Sequence, residues 1–174
     1  MTVDNVSAFG RIVYLMTRNR VILMDAGINY EPARLARREA EFYKNHDEIT
    51  ALSRHYQETL HDDRQRELLE TWKLHRTAYE KEGLEPMLAA LKAGNVGESF
   101  RIEREQVSVL NEPIKGDIEA INGYNTQLEE QQAIALKQSN VRTQYITVAL
   151  VVILLGVTGF SAWRIIRSVT IPAA

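Results

Sequence analysis

The chain has 174 residues, 45% hydrophobic and 25% charged, with a net charge of -2 and no cysteine. Without cysteine there are no disulfides and no thiolate metal sites, a composition compatible with either side of a membrane. No basic stripe is interleaved with aromatics, which excludes nucleic acid as an expected partner.

The first 142 residues read as helix almost throughout, with no stretch that alternates like a strand. Met1 to Leu15 contains Asp4, Gly10 and Arg11 and lacks the apolar run of a cleavable signal peptide. A first helix is predicted from Val3 to Tyr30, with Val6, Phe9, Val13, Met16, Leu23 and Tyr30 on a heptad-like seam. Arg20 occupies that seam where an apolar residue is expected. A charge there is costly unless paired, so Arg20 either meets a carboxylate of another helix, Glu103 or Glu105, or serves a ligand. Glu31-Pro32 ends the helix, because a residue before proline is pushed away from the α region.

A second helix follows from Ala33 to Leu60, with Leu35, Phe42, Ile49, Leu52 and Tyr56 on its apolar face. His61-Asp62-Asp63 supplies a turn and an N-cap. A third helix is predicted from Arg64 to Ala93, with Pro86 kinking it or loosening a turn. Ala93-Gly94-Asn95 is a stop and restart: Gly94 suits the left-handed C′ position, and Asn95 with Glu98 forms an N-cap pair. The fourth helix, from Asn95 to Arg142, repeats Phe100, Val107, Ile114, Ile121, Leu128 and Ala135 every seven residues. Pro113 and Gly116 are its expected weak points.

From Thr143 to Trp163 no side chain carries a formal charge, and about 20 such residues span a hydrocarbon core of about 30 Å. Tyr145 and Trp163 stand where interfacial aromatics belong, between Arg142 and Arg164. The predicted architecture is therefore all-α: an antiparallel four-helix bundle over 1–142 whose last helix continues into a transmembrane helix over 143–163. Positive-inside counting gives Lys137 and Arg142 against Arg164 and Arg167, two on each side, and does not orient it. The fourth helix would be about 70 Å long and the first about 45 Å, which predicts roughly 15 further residues of first helix upstream. Both ends of the chain read as cut.

No enzyme chemistry is legible. There is no Gly-rich phosphate loop, nucleophile elbow or triad-like arrangement. His46, His55, His61 and His75 lack the i, i+4 spacing of a metal-binding pair. Neither cofactor nor metal is expected.

Four stretches carry a resemblance: Asn19-Arg20 with Ala26-Gly27-Ile28-Asn29-Tyr30; Arg76-Thr77-Ala78-Tyr79 through Leu91-Lys92-Ala93-Gly94-Asn95; the long fourth helix; and Arg164 through Pro172. In this order they resemble the periplasmic sensor domain of bacterial methyl-accepting chemotaxis proteins of the aspartate/serine receptor type. The resemblance implies a homodimer, with the bundle in the periplasm, one helix in the inner membrane among lipid, and residues 164–174 as the start of a HAMP-type linker to the cytoplasm. It also implies a transducer sensing a small molecule, an amino or organic acid, or a periplasmic binding protein. Such a receptor reaches the chemotaxis kinase and adaptor through a cytoplasmic part beyond this chain. Arginines on the first helix hold the ligand carboxylate in that family; Arg20 matches the first by its spacing to Ala26-Gly27. The other two arginine positions hold Asp25 and Asn29, and a family asparagine position holds Met24, so an acidic amino acid is not the expected ligand. Arg20, Asn29 and Arg104 are the expected ligand-binding residues. The same module could instead serve a histidine kinase or diguanylate cyclase, and a membrane-tethered coiled-coil stalk or adaptor without a ligand is the reading from another class.

Overall fold

The computed structural model describes the backbone of residues 3–170 and the side chains of residues 8–138, 144–146, 150 and 151. Six α-helices and two π-helical turns follow one another: α1 (Val3–Ile28), α2 (Pro32–Glu58), α3 (Asp63–Ala78), a π turn (Tyr79–Leu84), α4 (Glu85–Lys92), α5 (Val96–Ile102), a second π turn (Glu103–Val107) and α6 (Ser108–Thr170). The chain divides into two units, Met1–Asn125 and Thr126–Ala174. In the first unit the helices form four rods: α1, α2, α3 to α4, and α5 into α6. In the second, the described backbone belongs to α6, and Ile134 and Leu136 are exposed.

The turns follow from local chemistry. Glu31 is extended at φ -149°, ψ 130°, as a residue before proline must be, and Pro32 opens α2 where its missing N–H is not needed. Asp62 caps α3, its Oδ1 accepting from the Gln65 N–H at 2.8 Å. At the third turn the Asn95 N–H donates to Ala90 O and the Gly94 N–H to Leu91 O, both at 2.9 Å, closing a Schellman motif. Gly94 adopts φ +74°, the left-handed conformation this motif requires. Asn95 then caps α5 by accepting from the Glu98 N–H at 3.2 Å.

The core follows the predicted seams in part. Phe9, Met16 and Leu23 of α1, Leu35, Phe42, Ile49 and Tyr56 of α2, Trp72, Tyr79, Leu84 and Leu88 of the third rod, and Val107, Ile114 and Ile121 of the fourth are buried. Phe100 and Leu128 are half-buried, and Tyr30 and Ala135 are exposed. Phe9 anchors one end, its ring 5.3 Å from Tyr56 and 5.7 Å from Trp72. Below it, Asn125 donates to the Tyr56 hydroxyl at 3.1 Å and accepts from Gln65 at 3.3 Å, fixing α6 against α2 and α3.

One expectation is met and another changes. Pro86 loosens a turn of the third helix: the π turn Tyr79–Leu84 precedes it, and α4 holds the proline in its first turn. The wide turn accommodates a ring that removes a donor and crowds the carbonyl of the preceding turn. The fourth rod departs from α-geometry at Glu103–Val107, whereas Pro113 lies inside α6. Among the described residues no helix is long and apolar enough to cross a membrane. Most side chains of the expected membrane segment 143–163, and all those of the expected linker 164–174, lie outside the described residues, as does that of Val6.

Candidate functional site

The two π turns face each other. A Cβ added to Gly83 would sit 3.1 Å from Val107 Cγ2 and 3.5 Å from Leu110 Cδ1, so the absence of a side chain at Gly83 permits this close approach. A π turn inserts one residue into a helix and turns neighbouring side chains to new directions; such turns concentrate at functional sites.

Arg20 enters at this level from α1. Its Nε donates to Glu103 Oε1 at 2.9 Å and its Nη2 to Ser108 Oγ at 2.9 Å, with a second bond from Nη2 to Glu103. Glu103 begins the second π turn and Ser108 follows it, so one guanidinium holds both ends of the distortion. The Arg20 side chain is 28% exposed and that of Glu103 only 13%. Tyr79, the first residue of the facing π turn, is buried. Burial pushes its hydroxyl up to about 12, with Arg20 pulling it back and Glu103 and Glu80 adding to the rise.

Polar contacts continue around the bundle at the same level. Asn45 of α2 donates to Asn19 Oδ1 at 2.9 Å, and Asn19 donates to the Phe42 carbonyl at 3.4 Å. His46 Nδ1 lies 3.4 Å from Glu80 Oε1. Arg76 donates to that same oxygen through Nε at 3.1 Å and Nη2 at 2.9 Å while lying over the Trp72 ring. Each of the four rods thus contributes polar groups to one layer: Asn19 and Arg20, Asn45 and His46, Tyr79 and Glu80, and Glu103. Buried polar layers cost stability relative to hydrophobic ones but fix register.

The three residues expected at a ligand are placed differently from one another. Arg20 is engaged by Glu103, the partner one reading of the seam required. Arg104 is 77% exposed and touches only Glu105 among the described residues, at 3.6 Å. Asn29 sits in the turn after α1, donating to Asp25 Oδ1 at 3.2 Å. It lies nine residues beyond Arg20, about 13 Å along a helix axis. Arg20 therefore holds the second π turn, to which Arg104 also belongs, but no hydrogen bond or ion pair joins the two arginines to a common group among the described residues. Asn29 belongs to another cluster.

That cluster was missed in the sequence. Asp25 accepts from Arg34 at 2.9 and 3.1 Å and from Arg38 at 2.9 Å, and Glu41 accepts from Arg38 at 2.7 Å and Arg18 at 2.8 Å. Burial raises the Asp25 and Glu41 carboxyls, but the arginine bonds outweigh it and hold both below their ordinary values.

Residues 3–139 match a family described as a four helix bundle sensory module for signal transduction. The chain belongs to that family. No curated protein and no solved structure matches it. The family match covers all four rods of the module and the whole polar layer, so the charged pair and the π turns lie within its sensory part.

Proposed function

We propose that this sensory module is the input part of a membrane chemoreceptor of the methyl-accepting type, and that a ligand acts on it by biasing the Arg20–Glu103 layer. The observation that carries the reading is the family match laid over that layer: a sensory bundle whose first and fourth rods are joined by an ion pair at a π turn. A carboxylate that competed with Glu103 for Arg20 would release α5–α6 from α1. Differential affinity for the paired and unpaired states is then all that a population shift needs. Arg104 has free donors to help hold such an anion, and Asn29 reaches a larger ligand from the tip.

Signal leaves through α6. An uncharged stretch from Thr143 to Trp163 supports a membrane crossing, with the bundle periplasmic and residues 164–174 leading to a cytoplasmic HAMP-type linker. Transmission by a small displacement of that helix fits the mechanical repertoire of such modules. Tyr14, Val21 and Ile28 are exposed on α1 at seven-residue spacing, 56%, 47% and 68%, and support a homodimer formed along that face.

The experiment is a response assay in cells carrying the complete coding sequence. Compounds from an amino-acid and organic-acid panel that evoke a response should lose it in Arg20→Ala while the protein stays expressed. A full response from Arg20→Ala would contradict the assignment.

A further inference from the structure

Along one face of the start of α2 lies an open groove of about 340 Å³ lined by Arg34, Arg37, Arg38 and Glu41. We infer that this groove is a second ligand site, taking a small dianion such as a dicarboxylate or a phosphate. It is separate from the Arg20 layer and does not depend on the chain being a receptor.

The charge balance points there first. Arg18, Arg34, Arg37 and Arg38 bring four guanidinium groups, and the carboxylates that pair with them are Asp25 and Glu41. The neighbouring Glu39 is taken by Lys92 at 2.6 Å. Glu31, the N-cap of α2, makes no ion pair with them among the described residues, so two positive charges remain over within the ion-paired cluster.

Arg34, Arg37 and Arg38 also stand at i, i+3 and i+4, on one helix face, where like charges repel. Arg34 does so in the first turn of α2, the positive end of its macrodipole, where acidic residues are favoured; the acidic residue at that end is the N-cap Glu31, and none occupies the turn itself. Three like charges on one helix face, with incomplete neutralisation, form a cradle that an anion completes.

Donors are free to receive it. Arg37 is exposed and makes no hydrogen bond or ion pair among the described residues. Arg34 reaches Asp25 through Nη2 alone, leaving Nε and Nη1 unspent. Guanidinium forks bind carboxylate and phosphate oxygens in pairs, and the volume lies in the range of small-molecule sites. Asp25 and Glu41 orient Arg34 and Arg38 before the ligand arrives.

The test is calorimetry and thermal melting of the full chain in detergent with succinate, inorganic phosphate or acetate, each at the same ionic strength. At least one dianion should bind with one site per chain and raise the melting temperature beyond sodium chloride, and acetate should not. Binding of succinate alone identifies an organic dicarboxylate; binding of phosphate alone identifies a phosphate or its ester. Arg37→Ala should weaken dianion binding at least tenfold without lowering the melting temperature of the free protein, and Arg54→Ala should leave binding intact. If neither dianion binds, or if Arg37→Ala binds as the parent does, there is no such site.

Discussion

Arg20 and Glu103 show how one seam residue is made tolerable and useful. Removing the arginine leaves a carboxylate that is 13% exposed without its main partner, whereas replacing both residues by apolar ones removes the desolvation cost as well. Arg20→Ala should therefore lower stability by about 1–3 kcal/mol, and Arg20→Met with Glu103→Leu should recover most of that loss in urea unfolding. The pH dependence has two limbs. Asp25 and Glu41 have folded pKa values below their unfolded ones, so their contribution is present above about pH 4. It is lost as pH falls through the lowered folded values. Tyr79 is raised to about 12, so its contribution is whole below about pH 10 and fades as pH climbs toward 12. Unfolding midpoints across pH should fall at both ends, and Asp25→Asn should flatten the acid limb.

At the scale of elements, the turns were legible because single residues dictate them. Pro32, Asp62, Gly94 and Asn95 each have one conformational or capping task, and each performs it where expected. Asp62→Ala should cost about 1 kcal/mol through the lost cap, with a further small loss from the Tyr124 hydroxyl that donates to the same carboxylate at 3.3 Å. The π turns were not read from the sequence. The heptad Phe100, Val107, Ile114 passes over the second turn, although Phe100 is only half-buried and the buried pairs Ile102–Val107 and Tyr79–Leu84 stand five residues apart, one more than a regular seam allows. The nearest signal was Gly83, three residues before Pro86, inside a helix that gains nothing from glycine. Its use is the contact with Val107. Gly83→Leu should destabilise by about 1–3 kcal/mol through overpacking, and Val107→Ala in the same chain should relieve part of it.

For the whole molecule, the bundle itself was readable from seams and short connections, and the pairing of Arg20 with a fourth-rod carboxylate was one of two readings the seam allowed. Asn19 and Asn45 were signalled in the same way and overlooked. Asn19 interrupts the apolar spacing Ile12, Asn19, Ala26, and Asn45 lies one turn beyond Phe42 and one turn before Ile49. The arginine cluster at the tip was hidden because its pairing joins residues of α1 and α2 across a turn, a relation that spacing within one helix does not reveal. If the exposed face of α1 joins two copies, Val21→Glu should convert a dimer to a monomer in sedimentation of the full chain, with the helical signal unchanged.

In the mechanism proposed above, the two facing π turns and the Arg20–Glu103 pair form one switchable level in an otherwise regular bundle. Hydrogen exchange of the full chain tests it most directly. Amides at 79–84 and 103–107 should open together and faster than those at 87–91 and 108–121, and Arg20→Met with Glu103→Leu should slow that opening. Equal protection along both rods, unaffected by the double substitution, would contradict it.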